Sequence, residues 1–94
     1  MARRTRKSSS ERMAHRRRFI EAVEAGGMPI GAAVREARLS LDMTQAEFGN
    51  KFGLTRRQVN EIENDTANPT VATLSKIAWP FGMTVGFVKV PGRN

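Results

Sequence analysis

The chain has 94 residues and a formal charge of +7, enough for one small domain. It contains no cysteine, which excludes a disulfide framework, thiol chemistry and a thiolate metal site and fits a reducing compartment. No apolar run approaches the ~18–20 residues of a membrane span, and the N-terminus lacks the apolar core of a secretion signal, so a cytoplasmic protein is expected.

The charge is concentrated at the start. Residues 1–18 hold eight cations (Arg3, Arg4, Arg6, Lys7, Arg12, Arg16, Arg17 and Arg18) against Glu11, while residues 19–94 hold eight of each sign. A charge-balanced domain therefore carries a basic arm. Such blocks bind polyanions; a solubilising tail is the plainer reading, and an organelle transit peptide a third, against which poor amphipathicity counts. The stretch "MARRTRKSSS" is too poor in apolar residues to fold alone. His15, isolated among arginines, reads as an exposed side chain rather than a base.

Ser8-x-x-Glu11 forms a possible capping box, and Gly26-Gly27 is a stop. Met13, Phe19, Ile20 and Val23 give an imperfect stripe between them, so a helix is expected over about Ser10 to Ala25. Pro29 suits the first turn of a second helix, whose residues Ile30, Val34, Ala37 and Leu41 share one apolar face assigned to the core. Two short helices follow with the same start code. In "MTQAEFGNKFG", Thr44-x-x-Glu47 is a capping box with Met43 and Phe48 as a hydrophobic staple. In "LTRRQVNEIEN", Thr55-x-x-Gln58 and the pair Leu54 and Val59 repeat it. Gly53 supplies the left-handed residue between them, and Gly49 removes a side chain where two helices approach closely. After "NDTAN", Asn68 and Pro69 open a fifth helix whose buried stripe is Val71, Leu74, Ile77, Ala78 and Phe81, and Pro80 disturbs its last turn. Finally, "MTVGFVKV" alternates in polarity and is rich in β-branched residues, which predicts a strand from Met83 to Val90.

Two short helices joined by a tight glycine turn form a helix-turn-helix, the second helix of which enters the DNA major groove. At roughly 100° per residue, Arg56, Asn60, Asn64, Arg57 and Glu61 fall within an arc of roughly 140°, with Val59 and Ile62 on the opposite side. Arg56 and Arg57 stand at the positive end of the helix dipole, a cost of roughly 0.3–1 kcal/mol each. A polyanionic partner offsets that cost, and arginine can take guanine O6 and N7 with two hydrogen bonds. An ordinary solvated polar face is the competing reading of these residues.

The stretch "TQAEFGNKFGLTRRQVNEIENDTANPT" resembles the Cro/phage-repressor (Xre) helix-turn-helix family, over about Gly31 to Phe81. The resemblance implies an all-helical, repressor-like DNA-binding domain and a prokaryotic cytoplasmic regulator, associated with the nucleoid when bound to DNA. It implies that Gln45 contacts a phosphate and that Arg56, Arg57, Asn60 and Glu61 read bases. Thr44, Thr55 and Asn64 join Gln45 as phosphate contacts, with Arg3, Arg4 and Arg6 of the arm. Arg38 and Glu63 form a structural pair. The added strand makes the chain most similar to HipB-type antitoxins, which repress their own operon and bind a HipA-type kinase toxin.

A lone strand leaves its backbone groups unsatisfied. Pairing with the same strand of a second copy about a two-fold axis resolves this, with Met83, Val85, Phe87 and Val88 in the dimer contact and an inverted-repeat operator as the consequence. The expected organisation is therefore an arm and helix (1–27), a helix-turn-helix domain (28–82), and a dimerisation strand with a tail (83–94). An enzyme is not expected: no phosphate loop, metal-ligand spacing or nucleophile–base set occurs, and neither a cofactor nor a metal is called for. A phage-type or stress repressor without a toxin partner, and an adaptor binding protein or RNA, are the alternatives.

Overall fold

The computed structural model describes residues 6–89 and 91–92. Among them are five α-helices: α1 (Ser9–Glu24), α2 (Ile30–Ser40), α3 (Gln45–Phe52), α4 (Arg56–Glu63) and α5 (Val71–Ala78). A 3-10 turn, Trp79–Phe81, closes α5. No helix among the described residues is long and apolar enough to cross a membrane.

Three helices start on the reciprocal cap written in the sequence. The hydroxyls of Ser8, Thr44 and Thr55 accept from the backbone N–H of Glu11, Glu47 and Gln58, whose side chains reach back to the cap N–H. These contacts satisfy donors a helix start otherwise leaves orphaned. Two starts differ from expectation. Pro29 caps α2 instead of lying in its first turn. The fifth helix begins at Val71, because the Thr70 hydroxyl accepts from the Thr73 N–H at 3.1 Å and displaces Asn68 as the cap.

The core is built from Phe19, Val34, Ala37, Phe48, Phe52, Val59, Ile62, Leu74, Ile77 and Phe81, so all five helices and the 3-10 turn contribute. Phe48 and Val59, the inner halves of the two staples, are fully buried, while Met43 and Leu54 pack against the same core from its rim. Phe19 meets Phe81 edge-on, with centroids 5.3 Å apart, and ties α1 to the end of α5. Met13, Ile30 and Val71, assigned to buried stripes, are exposed. Each lies near the start of its helix, where the stripe overruns the edge of the packed core.

The α3–α4 turn is tight in the manner that its glycines predict. Gly53 takes the left-handed conformation at φ 73°. A Cβ on Gly49 would stand 2.5 Å from the Leu54 carbonyl oxygen, so only glycine fits there.

The C-terminal strand is not formed. Among the described residues there is no β-strand, and Val90 lies outside them. A strand requires a neighbouring edge for its N–H and C=O groups, and nothing else in the described chain is extended alongside it. Residues 83–89 instead follow an irregular path over a cleft of about 370 Å³ bordered by α1, α2 and α5. Met83 and Val85 pack inward, and the Val88 side chain lies against Gly27. Phe87, expected to share a face with Met83 and Val85, is fully exposed.

Candidate nucleic-acid interface

The first residues of α4 are fixed by the Thr55 cap, and its apolar residues Val59 and Ile62 anchor it in the core. That anchoring turns Arg56, Arg57 and Asn60 to solvent. Arg56 has no hydrogen bond or ion pair among the described residues. Arg57 donates from Nε to Glu61 Oε1 at 2.8 Å while its side chain stays 88% exposed, a one-turn pair of the kind worth ~0.3–0.5 kcal/mol. Its guanidinium therefore keeps donors for another acceptor, and Glu61, half-buried, is held in place by it.

The remaining polar residues of the face form a connected row. Asn64 Nδ2 donates to the Asn60 carbonyl at 2.9 Å and to its side-chain oxygen at 3.2 Å. Asn60 Nδ2 donates to Gln45 Oε1 at 3.3 Å. Gln45 Nε2 in turn leans on Glu63 Oε1 at 3.4 Å. Arg38 closes the row: Nε donates to Glu63 Oε2 at 2.7 Å, Nη2 to Oε1 at 3.0 Å, and Nη1 to the Met43 carbonyl at 3.0 Å. With side-chain exposures of 12% and 4%, Arg38 and Glu63 form a largely enclosed ion pair. It joins α2, the turn before α3 and the end of α4. Its further effect is to orient Gln45 and Asn60, one at the start of α3 and one on the outer face of α4.

The cap hydroxyls of Thr44 and Thr55 each accept from the helix but keep their own O–H as a donor. Thr44, Gln45, Thr55 and Asn64 therefore place donors near the N-terminal ends of α3 and α4 or along the α4 face, where anions are favoured. Among the expected contacts, Arg3 and Arg4 lie outside the described residues. Arg6 is engaged: Nη1 donates to the Asp42 carbonyl at 2.6 Å and Nη2 to Glu47 Oε2 at 2.9 Å. The Thr44 backbone N–H, followed by Arg6, holds the Glu47 carboxyl down at about 2.

His15 is not the exposed side chain expected of it. It is half-buried, accepting from the Lys7 ammonium at Nδ1 (2.8 Å) and meeting Glu36 at Nε2 (2.6 Å). An ammonium can only donate, so the proton of the ring sits on Nε2. Sequence reasoning missed this cluster and the Gln45–Asn60 bond. The separations of 8, 21 and 15 residues carry no local periodicity that would announce them.

A family profile described as helix-turn-helix matches residues 34–87. An immunity repressor protein of Bacillus phage phi105 is 30% identical over 61 residues, covering 65% of this chain and 42% of that protein. The ImmF control region 10 kDa protein of the same phage is 28% identical over 64 residues, covering 68% of this chain and 71% of that protein. The chain thus spans under half the length of the immunity repressor it matches. No solved structure matches the chain significantly.

Proposed function

The chain belongs to the helix-turn-helix family, and we propose that it is a sequence-specific repressor of transcription that binds double-stranded DNA through α4. The observation that carries this reading is the outer face of α4, where Arg56, Arg57 and Asn60 stand exposed on a helix locked to the core from behind. Arginine paired to guanine and asparagine paired to adenine are the side-chain matches the major groove favours. Thr44, Gln45, Thr55 and Asn64 would take phosphates and set the register. The name of the phage immunity repressor supports a repressor of the phage type.

The reading includes a homodimer acting in the cytoplasm of a bacterial host. One short helix reads few base pairs, and two copies related by a two-fold axis would meet half-sites about 34–36 Å apart. The exposed Phe87 beside the apolar cleft is the natural place for the second copy to attach. A HipB-type antitoxin with a HipA-like kinase partner is the second reading. The C-terminal strand that would favour it is not formed among the described residues, so the phage-type repressor is preferred.

The test is selection from a random duplex library at moderate salt, with single-stranded RNA of the same length as competitor. A recovered inverted repeat, bound in preference to RNA, supports the reading. Preference for RNA, or no sequence enrichment, overturns it.

A further inference from the structure

Among Arg56, Arg57, Asn60 and Glu61, only Asn60 has a polarity that its own chemistry leaves open. The two guanidiniums only donate and the Glu61 carboxylate only accepts, whereas the Asn60 amide carries a donor nitrogen and an acceptor oxygen of nearly the same shape. Turned one way about its last side-chain bond, the amide matches adenine, its oxygen accepting from N6 and its nitrogen donating to N7. A half-rotation sets donor against donor and acceptor against acceptor. The choice between the two has to come from outside the residue.

It is made at both ends of the polar row. At one end the Glu63 carboxylate, 4% exposed and held by Nε and Nη2 of Arg38, can only accept. Gln45 therefore turns Nε2 toward it, at 3.4 Å. That leaves Gln45 Oε1 for Asn60, whose Nδ2 donates to it at 3.3 Å. At the other end Asn64 Nδ2 donates to the Asn60 main-chain carbonyl at 2.9 Å. A carbonyl also only accepts, so Asn64 presents its nitrogen, and the side-chain atom of Asn60 that meets this nitrogen at 3.2 Å has to be Oδ1. Two acceptor-only groups, one on each side, thus require the same orientation of Asn60. The row uses one of its two N–H donors and one of its two oxygen lone pairs, which leaves one donor and one acceptor for a base.

We propose that Gln45 is a positioning residue for base reading: through it the enclosed Arg38–Glu63 pair holds the Asn60 amide in one orientation, so that the base facing Asn60 is read as adenine. The inference rests on the DNA-binding reading above and deepens it. The phosphate contact expected of Gln45 is compatible with it, since Glu63 takes only one of the two Nε2 hydrogens. The two roles differ in what they weigh. A phosphate contact strengthens every duplex alike. A held amide strengthens only the duplex that carries the matching base, because only there would a free Asn60 have to be ordered.

The test uses the full chain and the duplex that the wild type selects, with fluorescence titration of duplexes that differ at one position. Asn60→Ala identifies the base pair, as the one at which preference disappears, and adenine is expected there. Gln45→Met keeps the length of the side chain and removes its amide. It should narrow the preference for adenine at that pair about two- to tenfold, the scale of one side chain ordered on binding, and leave preference at the other pairs unchanged. In an Asn60→Ala background the same change should alter no base preference. Each preference is a ratio taken within one variant, so a general loss of folding or of a phosphate contact cancels. Equal weakening on every duplex, with the adenine preference intact, would make Gln45 a phosphate contact only and overturn the proposal, as would a base other than adenine at that pair. An Asn60→Ala variant that keeps every preference overturns it too, while the reading by Arg56 and Arg57 would stand. A wild type that selects no duplex removes the DNA-binding premise, and the inference with it.

Discussion

Replacing Glu63 by alanine tests the polar row behind the interface. The carboxylate is 4% exposed and takes two donors from Arg38, itself 12% exposed. Removing it leaves a guanidinium largely out of water, with only the Met43 carbonyl as a remaining acceptor. Breaking a buried pair from one side costs about 3–5 kcal/mol. For a domain of this size each kcal/mol moves the melting temperature by about 4–8 °C, so a fall of at least about 12 °C is expected. Glu61→Ala is the control. That carboxylate pairs with an arginine that is 88% exposed, and loss of a one-turn surface pair costs only ~0.3–0.5 kcal/mol. Thermal unfolding followed by circular dichroism at the helical minimum separates the two. Equal shifts, or a larger shift for Glu61→Ala, would refute the assignment of Glu63 as the structural carboxylate and Glu61 as the surface one.

Four further outcomes follow from the same geometry. Gly49→Ala puts a Cβ 2.5 Å from the Leu54 carbonyl and should destabilise the chain by about 1–3 kcal/mol, as read by chemical denaturation. Glu47 has its carboxyl lowered from 4.5 to about 2, so its contribution is complete above pH 4.5 and is lost as the pH falls toward 2. Glu47→Gln, which preserves the capping box, should therefore flatten the acid limb of a stability–pH curve. Replacing Arg3 and Arg4 by alanine should reduce the slope of log K against log salt by nearly one unit for each phosphate that the arm neutralises, measured by fluorescence titration. Phe87→Ser should shift sedimentation toward monomer, and a wild type that is monomeric at micromolar concentration and still binds the full inverted repeat tightly would exclude the dimer.

Most of the helical frame was legible because its signals are local. Capping boxes act over three residues and staples over five, so Thr44, Thr55, Met43 and Leu54 announced α3 and α4 to within a residue. Gly49 and Gly53 announced the turn. The Arg38–Glu63 pair came from the family resemblance, since no periodicity joins residues 25 apart. The failures share one cause, which is that the groups that decide them are not local in sequence. Residues 83–89 carry the alternation of a strand, but alternation specifies only which residues share a face, not whether an edge is present to pair with. Met83 and Val85 were taken up by the core instead, and Phe87 was left exposed. His15 looked solvated among arginines, and only the return of Lys7 and α2 to α1 gave it partners. The arm looked detached for the same reason: Asp42 and Glu47 lie 35 and 41 residues from the groups they hold.

The central claim is that the exposed face of α4 reads base sequence. Parallel selections with the wild type and Arg56→Ala, from one random duplex library at fixed salt, test it most directly. Arg56→Ala should lose preference at one base pair of each half-site, worth about 1–3 kcal/mol, and keep it at the others. An unchanged preference at every position would contradict it.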